Sequence, residues 1–401
     1  MIYRGLRYRL DPTADQARQF ARFAGVVRLV FNLALEQRRD HWRTFRQVEG
    51  RPISFAAQCR ELTLLRREYD FIREVTNTCQ QQALRDLDAA FAAFFAGRAR
   101  HPNPRRRGIN DSFRFHGREI GVERLNRNWG RVRLPKIGWV RFRWTRAIEG
   151  KIKNVTISRD ALGWHVSFDC AIEEAAMSLP RPEAVGIDRG VTRTLALSDG
   201  TFADMPMERL RLLDRRARKQ ARTLARCKRG SNRRLKARER LAATKAKAAR
   251  IRKYFNHVQS RQIADAYGTV VVEDLATANM TRSARGTAEQ PGRNVRAKAG
   301  LNRAILEQGW RQFATFLSYK LEANGGTLVS IPPAYTSQTC SACGSISKHH
   351  RKSQAVFSCA DCCHAANADT NAAINILRAG TRPAVRESVA APLTRESRCA
   401  A

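Results

Sequence analysis

Two short apolar segments of this chain each end in a carboxylate: Asp188 follows AVGI and Glu273 follows TVVV. Both segments have the length and composition of a buried β-strand. A charged group at the end of such a strand costs several kcal/mol unless it is paired or bound to a metal. A single strand-end acid often only begins a turn, but two in matching positions require a common explanation. Any fold of the chain therefore has to accommodate both acids.

A third acid, Asp369, stands at the beginning of the predicted helix ADTNAAINIL, where alone it would be interpreted as a helix N-cap. The three acids have a distinctive order: the first strand of a hairpin meander, a later strand and a final helix. This order resembles the RNase H-like fold of RuvC nucleases. In-line cleavage of a phosphodiester uses two divalent ions about 3.5–4 Å apart, and carboxylate oxygens suit Mg²⁺ or Mn²⁺. We therefore predict that Asp188, Glu273 and Asp369 are catalytic and hold magnesium.

Four of the ten cysteines are spaced C-x₂-C-x₁₅-C-x₂-C: Cys340, Cys343, Cys359 and Cys362. This spacing is typical of a tetrahedral zinc site, which stabilises a segment too small to bury its own core. Cys363 directly follows the last of the four. Three histidines could replace a cysteine as ligand: His349, His350 and His364. We favour four cysteines holding a structural Zn²⁺, and redox-active or unrelated thiols are the alternative.

The chain carries 74 Lys and Arg against 36 Asp and Glu, a formal net charge of +38. This excess is far beyond what solubility requires and predicts nucleic acid as the partner. A ribosomal-type protein or a binder of membrane surfaces is the alternative that composition leaves. Residues 209–253 contain 20 basic and only two acidic residues in two helical runs. Because like charges one turn apart destabilise a helix, we interpret this basic helical hairpin as a phosphate-binding element rather than a solvated face.

The pattern along the chain predicts a multidomain α+β fold. Helical periodicity dominates residues 12–105, which we interpret as an insertion between strands of a small β-barrel formed by residues 1–11 and 106–181. One long amphipathic helix is predicted from about Asn302 to Ala323. The remaining domains are an RNase H-like α/β nuclease domain at 182–333 and 364–378, a zinc-binding module at 334–363 and a disordered tail at 379–401.

No membrane association is predicted. The longest apolar stretches are far shorter than the roughly 20 residues needed to cross a bilayer. The beginning of the chain lacks the apolar region and cleavage site of a secretion signal. We expect a protein of the bacterial cytoplasm, associated with the nucleoid.

Several motifs stand in a characteristic order: YRLDPTADQ, FAGVVRLVFNLALEQ, LPKIGWVRFRW, GIDRGV, VVVEDL, YTSQTCSACG and NADTNAAINIL. They resemble TnpB, the nuclease encoded by bacterial insertion sequences and similar to type V CRISPR effectors, over roughly residues 3–378. The resemblance implies a barrel-like wedge domain with a helical recognition insert, a RuvC domain and a zinc-bearing target-nucleic-acid-binding module. Asp188, Glu273 and Asp369 fall on the family's three catalytic acids.

The resemblance also implies the partners. They are a guide RNA from the transposon end and a double-stranded DNA target with a short adjacent motif, so that RNA pairing reads the sequence. Protein partners are left open. Seven basic residues are our candidates for nucleic-acid contacts: Arg105, Arg106, Arg107, Lys228, Arg229, Arg233 and Arg234.

Two other functions are compatible with the basic surface. One is a nuclease-dead RNA-guided DNA binder acting as a repressor, but the retention of all three acids argues against it. The other is a transposase accessory factor acting without RNA. The chain departs from the family pattern at Cys363, where Gly is usual, and in the loop RARHPNPRRRG, which is unusually rich in Arg.

Overall fold

The computed structural model describes residues 2–45, 53–109, 111–172 and 181–381. It divides into two compact units, Met1–Ala175 and Ala176–Ala401, which are described one after the other. Residues 379–381, assigned by sequence to a disordered tail, are the last turn of a helix. The rest of the predicted tail lies outside the described residues. No helix in the described part is both long enough and apolar enough to span a membrane.

The described part of the first unit begins with a strand, continues with helices and ends with six further strands. Its elements are β1 (Ile2–Asp11), α1 (Ala14–Phe45), α2 (Phe55–Glu68), α3 (Asp70–Arg73), α4 (Asn77–Phe95), β2 (Ser112–His116), β3 (Gly121–Arg124), β4 (Trp129–Leu134), β5 (Gly138–Arg143), β6 (Lys151–Asp160) and β7 (Gly163–Ile172).

One antiparallel sheet contains all these strands, in the order β2-β6-β7-β1-β5-β4-β3. β1 joins its two halves, because residues 2–9 pair with β7 whereas only Leu10 and Asp11 pair with β5. The N-terminal strand thus lies among the later strands, and the helices are inserted between them. β2 pairs with β6 and the short β3 pairs with β4, so the pairing of the described strands leaves an open sheet and the predicted closure into a barrel is not seen.

Aromatic side chains fill the core of this unit. The rings of Tyr8, Phe142 and Phe168 contact one another within the sheet. α1 covers one end, where Phe20 and Phe23 pack on Phe113.

Thr13 caps the N-terminus of α1. Thr13 and Gln16 form a reciprocal capping box: Thr13 N–H donates to Gln16 Oε1 at 3.1 Å, and Gln16 N–H donates to Thr13 Oγ1 at 3.3 Å. Asp11 is the last residue of β1. The helix therefore begins directly after the turn that follows β1.

The second unit alternates strands and helices. Its elements are β8 (Ala184–Asp188), β9 (Leu195–Leu197), β10 (Phe202–Ala203), α5 (Met207–Arg226), α6 (Asn232–Ala266), β11 (Thr269–Glu273), α7 (Thr277–Met280), α8 (Val295–Gln308), α9 (Trp310–Ala323), β12 (Thr327–Ile331), β13 (Val356–Ser358), β14 (Ala365–Asn367) and α10 (Ala368–Thr381).

A five-stranded sheet forms the centre of this unit, in the order β10-β9-β8-β11-β12. β8, β11 and β12 are parallel, whereas β9 and β10 continue from β8 as an antiparallel meander. Both faces are covered, as expected for continuous apolar strands. Val270 and Val272 pack in a core that includes Phe313 of α9, and Val271 packs on the opposite side with Ile376 of α10.

The helices of this unit differ from the sequence prediction in two places. The single helix predicted from Asn302 to Ala323 is broken at Gly309, whose φ of +68° is left-handed and ends α8 before α9 begins. The basic hairpin is formed by α5 and α6, but α6 continues well beyond residue 253 to Ala266. Its last turns carry Phe255 and Ile263 into the core, so the loss of basic residues there marks burial and not the end of the helix.

Candidate functional site

Asp188 and Glu273 lie at the carboxyl ends of two neighbouring parallel strands. β8 and β11 pair in register as far as Ile187 and Val272, so the two acids stand side by side one residue further along. Glu273 is buried and Asp188 half-buried. The carboxyl ends of parallel strands are where open α/β sheets bind their ligands. The two acids that sequence reasoning singled out are therefore neighbours at the edge of the sheet where such folds bind ligands.

Asp369 reaches the same region from α10. Asn367 caps this helix, because its Oδ1 accepts from the backbone N–H of Asp369 at 3.0 Å and of Thr370 at 3.3 Å. Asp369 is therefore not the N-cap, which was the alternative that the sequence left. Its side chain is buried in the first turn of the helix.

Close packing holds α10 against β8. A Cβ added at Gly186 would collide with the carbonyl oxygen of Ala373, so the absence of a side chain at Gly186 allows the helix to lie directly on the strand. Asp369 stands one helical turn before Ala373, towards the end of the sheet that carries Asp188. The glycine in AVGID thus helps to bring the third acid to the other two.

The three acids interact electrostatically. Burial, and then the negative charges of Glu273 and Asp369, raise the pKa of Asp188 to about 7, while Arg351 offsets part of this effect. Burial also raises the pKa of Glu273, although a hydrogen bond from Thr336 and the charge of Arg189 lower it. Such coupling weakens with distance and with solvent screening. A bound cation would relieve the mutual repulsion.

The chemistry of this acidic set fits divalent ions that prefer oxygen ligands. Among the described residues, some groups of possible metal ligands have all their ligand atoms within 4.8 Å of one another. The three acids do not form such a tight group. A pair of ions about 3.5–4 Å apart does not require so tight a cluster, because the outer acids can bind different ions. The arrangement is therefore compatible with a two-ion site.

Two residues that sequence reasoning missed contact the acids from the cysteine-rich segment. Arg351 Nη2 donates to Asp369 Oδ1 at 2.9 Å, and Thr336 Oγ1 donates to Glu273 Oε1 at 2.6 Å. The contacts join residues 18 and 63 positions apart, so no local spacing indicates them.

Buried polar side chains hold these elements in place. Arg189 donates to the carbonyl oxygens of Glu273 and Trp310, which ties β8 to the end of β11. Asn375 Nδ2 donates to the carbonyl oxygens of Thr336 and Thr339 at 3.0 and 2.7 Å, which fixes the segment that carries Thr336 on α10. A signal for Asn375 existed in the sequence, since it is a polar residue on the apolar face of the helix NADTNAAINIL.

The four cysteines predicted as zinc ligands form a compact cluster. Their sulfur atoms all lie within 4.8 Å of one another, with Cys340 and Cys362 3.7 Å apart and Cys343 and Cys359 3.6 Å apart. Sulfurs on the corners of a zinc tetrahedron are separated by roughly 3.8 Å. The cluster therefore matches the geometry of a closed Cys₄ site.

The thiol electrostatics also favour a cation. Burial by itself raises the pKa of Cys340, but hydrogen bonds from the backbone N–H groups of Cys343 and Ala342 bring it to about 7. The backbone N–H of His364 lowers the pKa of Cys362, but the neighbouring sulfurs, Cys343 first, raise it to about 12. Four thiolates this close need a positive ion among them.

Arg105 and Arg234, which were predicted to bind nucleic acid, make specific contacts within the protein. Arg105 pairs with Asp86 at 2.8 Å and lies over the ring of Phe31. Arg234 donates to the carbonyl oxygens of Leu224 and Cys227 at 2.9 and 3.1 Å, which closes the C-terminus of α5. The remaining five are exposed: Arg106, Arg107, Lys228, Arg229 and Arg233.

Three family profiles match separate parts of the chain. A helix-turn-helix domain of OrfB proteins of the IS605 type matches residues 1–47, and the described residues in this range, 2–45, contain β1 and the single helix α1. The OrfB IS605 family, described as a probable transposase, matches residues 167–284. A Cas12f1-like TNB domain matches residues 310–376, which include the four cysteines and Asp369.

Whole-chain comparisons agree with these matches. The chain is 37% identical to InsQ of Escherichia coli (strain K12) over 93% of this chain and 91% of that relative. It is 33% identical to a protein of Streptomyces pristinaespiralis over 94% and 90% of the two chains. Both relatives are named as RNA-guided DNA endonucleases.

Solved structures share the fold at low sequence identity. A Cas12f1 complex with sgRNA and target DNA superposes with a TM-score of 0.58 at 14% identity, over 93% of this chain and 84% of that chain. The mini-RNA-guided endonuclease CRISPR-Cas_phi3 gives 0.55 at 9% identity, over 94% and 92%. The chain thus has a mixed α/β fold, and its residues 310–376 match a TNB domain. The chain belongs to the TnpB family, the OrfB proteins of IS605-type insertion sequences.

Proposed function

We propose that this protein is an RNA-guided DNA endonuclease that hydrolyses phosphodiester bonds at a site formed by Asp188, Glu273 and Asp369. One observation carries the proposal: acids from two strands and a helix approach one another at one end of a buried sheet, where burial and then the charges of Glu273 and Asp369 raise the pKa of Asp188 to about 7. Such placement is unfavourable for folding and is typical of a functional site. The relatives named as RNA-guided DNA endonucleases support the same activity.

The residues around the acids have separate roles. When bound, two ions of Mg²⁺ or Mn²⁺ supply a nucleophilic water and stabilise the leaving oxygen. With its pKa raised to about 7, Asp188 is about half protonated at neutral pH, and a divalent ion bound beside it would favour the deprotonated carboxylate. Thr336 orients the carboxylate of Glu273, and Arg351 places a guanidinium beside Asp369. That guanidinium is close enough to the acids to contact a phosphate bound there.

The remaining parts supply nucleic-acid recognition. The seven-stranded sheet would act as the wedge domain and α1–α4 as the recognition insert, which together read a short motif beside the target. The four cysteines would hold zinc and stabilise the target-nucleic-acid-binding module. A guide RNA from the transposon end would bind the basic surface through Arg106, Arg107, Lys228, Arg229 and Arg233, and the protein would work at the nucleoid.

Replacing Asp188 tests the activity. We expect Asp188→Ala to lower guide-dependent cleavage of a matched DNA by at least about a hundredfold, because bound metal is worth several kcal/mol to the transition state. Binding of the same DNA should persist, since the basic surface is intact. Glu322→Ala, which removes an exposed acid from α9, is the matched control and should cut normally. Cleavage by the Asp188→Ala protein at the wild-type rate would contradict the proposal.

The same assay separates the competing functions. The protein is purified with and without co-expressed RNA from the element end and incubated with DNA and Mg²⁺. A nuclease-dead repressor would bind but never cut. An accessory factor acting without RNA would process DNA equally well in both preparations.

A further inference from the structure

His350 is a fully buried histidine that the proposed function does not use. Only 1% of its surface is exposed, and its ring packs against Phe357. Its Nδ1 has no hydrogen-bond partner among the described residues. Burying such a polar ring is unfavourable unless it gains an interaction elsewhere. The other ring nitrogen, Nε2, is where that interaction is found.

Nε2 of His350 faces one of the predicted zinc ligands. It lies 3.8 Å from Sγ of Cys359 and 3.8 Å from Oδ2 of Asp361. With its proton on Nε2, the imidazole donates to the sulfur. Four thiolates around one Zn²⁺ leave two excess negative charges. A hydrogen-bond donor of this kind partly offsets that charge and fixes the orientation of the ligand.

A direct ligand role for His350 is the competing possibility. His350, Cys359 and Asp361 also lie within 4.8 Å of one another. This set shares Cys359 with the four-cysteine cluster, so one ion cannot fill both sets at once. The four sulfurs already have tetrahedral spacing, and the side chain of Asp361 is 61% exposed. The geometry therefore favours His350 as a donor outside the metal shell.

His350 is joined through the backbone to the next residue, Arg351, which contacts the acidic site. His350 C=O accepts from Ser358 N–H at 2.8 Å, and the backbone of Arg351 forms an antiparallel β-bridge with Phe357. The pair is thus attached to β13, directly before Cys359. The side chain of His350 faces Cys359, while that of Arg351 donates to Asp369 at 2.9 Å and to the carbonyl oxygen of Gln354 at 3.1 Å.

We infer that His350 is a positioning residue that links the zinc cluster to the acidic site: it holds Cys359 from outside the metal shell and thereby fixes Arg351 on Asp369. The inference rests on the proposed zinc site. Linkage is reciprocal, so a change at Asp369 must also alter the retention of zinc.

The first test measures zinc release from the full-length protein purified with its guide RNA, using a colorimetric chelator. His350→Phe keeps the ring volume but removes the donor, and we expect release at least about tenfold faster than in the wild type. His350→Gln, which returns an N–H near the Nε2 position, should restore most of the retention. His349→Phe, at the exposed neighbouring position, is the matched control and should release zinc at the wild-type rate.

The second test addresses the link itself. Asp369→Asn weakens the bond to Arg351 and should speed zinc release about fivefold. Asp188→Asn removes a charge from the same site at a residue without a hydrogen bond to Arg351, and should change release much less than Asp369→Asn does. Equal release from these two variants would overturn the link, and normal release from His350→Phe would overturn the inference as a whole. A wild-type protein that retains no zinc would instead refute the proposed zinc site, and guide-dependent cleavage tests the nuclease separately.

Discussion

At the scale of single residues, the proton on Asp188 is the most informative feature. The folded protein holds this proton up to a pH of about 7, whereas an unfolded Asp releases it near about 4. Between these pH values the folded state binds more protons than the unfolded state. The contribution of Asp188 to the free energy of unfolding is therefore fully present below about pH 4 and is lost as the pH rises through about 7. An acid with this behaviour is suited to exchange its proton for a cation.

Asp188→Asn tests the direction of this pH dependence in protein that retains zinc but lacks Mg²⁺ and Mn²⁺. Asn imitates the protonated acid at every pH, so its stability advantage over Asp should be about 2 kcal/mol larger at pH 8 than at pH 5, after a discount for partial solvation. The denaturant concentration at the midpoint of unfolding, measured for both proteins at each pH, gives this difference. Asp199→Asn is the control: hydrogen bonds from Tyr267 and Thr201 lower the pKa of Asp199 despite its burial, so Asp199 is ionised in both states throughout this range and the variant should show no difference between pH 5 and pH 8. An advantage independent of pH would refute the prediction.

Cys363 stands where the family usually has glycine, and its φ of +56° explains that preference. Left-handed backbone costs a residue with a Cβ roughly 1 kcal/mol relative to glycine. Cys363→Gly should therefore raise the urea concentration at which the protein releases its zinc. Cys227→Gly makes the same chemical change at a φ of −80° and should give no such gain. A lower urea concentration for Cys363→Gly would show that the thiol itself contributes to the site.

At the scale of elements, the contact between α10 and β8 decides whether the site exists. Gly186→Ala would push the helix off the strand and should cost about 1–3 kcal/mol, together with most of the cleavage activity. Thermal unfolding and the cleavage assay measure the two effects. Gly300→Ala is the matched control, because open space surrounds Gly300 on α8 and alanine favours the helix. If Gly186→Ala cut DNA normally, the close approach would be irrelevant to the site.

At the scale of the whole molecule, the charge of +38 sets how binding depends on salt. Each phosphate contact contributes about 0.7–0.9 to the slope of log affinity against log salt. Replacing Arg229 and Arg233 by Gln should reduce the slope for guide RNA by about 1.4–1.8, since both are exposed at the turn between α5 and α6. Arg234→Gln should weaken the end of α5 but leave the slope unchanged, because this side chain binds backbone carbonyls. An unchanged slope for the double variant would exclude this turn from phosphate binding.

The sequence predicted some elements correctly and missed others. The family assignment and the endonuclease activity are supported by the relatives, and the strands that end in Asp188 and Glu273 are present. The break at Gly309 was missed because the apolar period continues on both sides of it, and φ is not visible in such a period. The N-cap role considered for Asp369 was wrong because Asn367, two residues earlier, caps the helix.

The chemical identity of the candidate sites was determined by the sequence alone. The acids after two apolar runs, the cysteine spacing and the excess of arginine are local or compositional properties, and local geometry follows from spacing along the chain. Only the tertiary structure decided that Arg351 contacts Asp369, that Thr336 contacts Glu273 and that Arg234 closes a helix rather than facing solvent. These contacts depend on how α10 and the cysteine-rich segment pack against the sheet, and packing between distant segments leaves no periodic trace in the residues it joins.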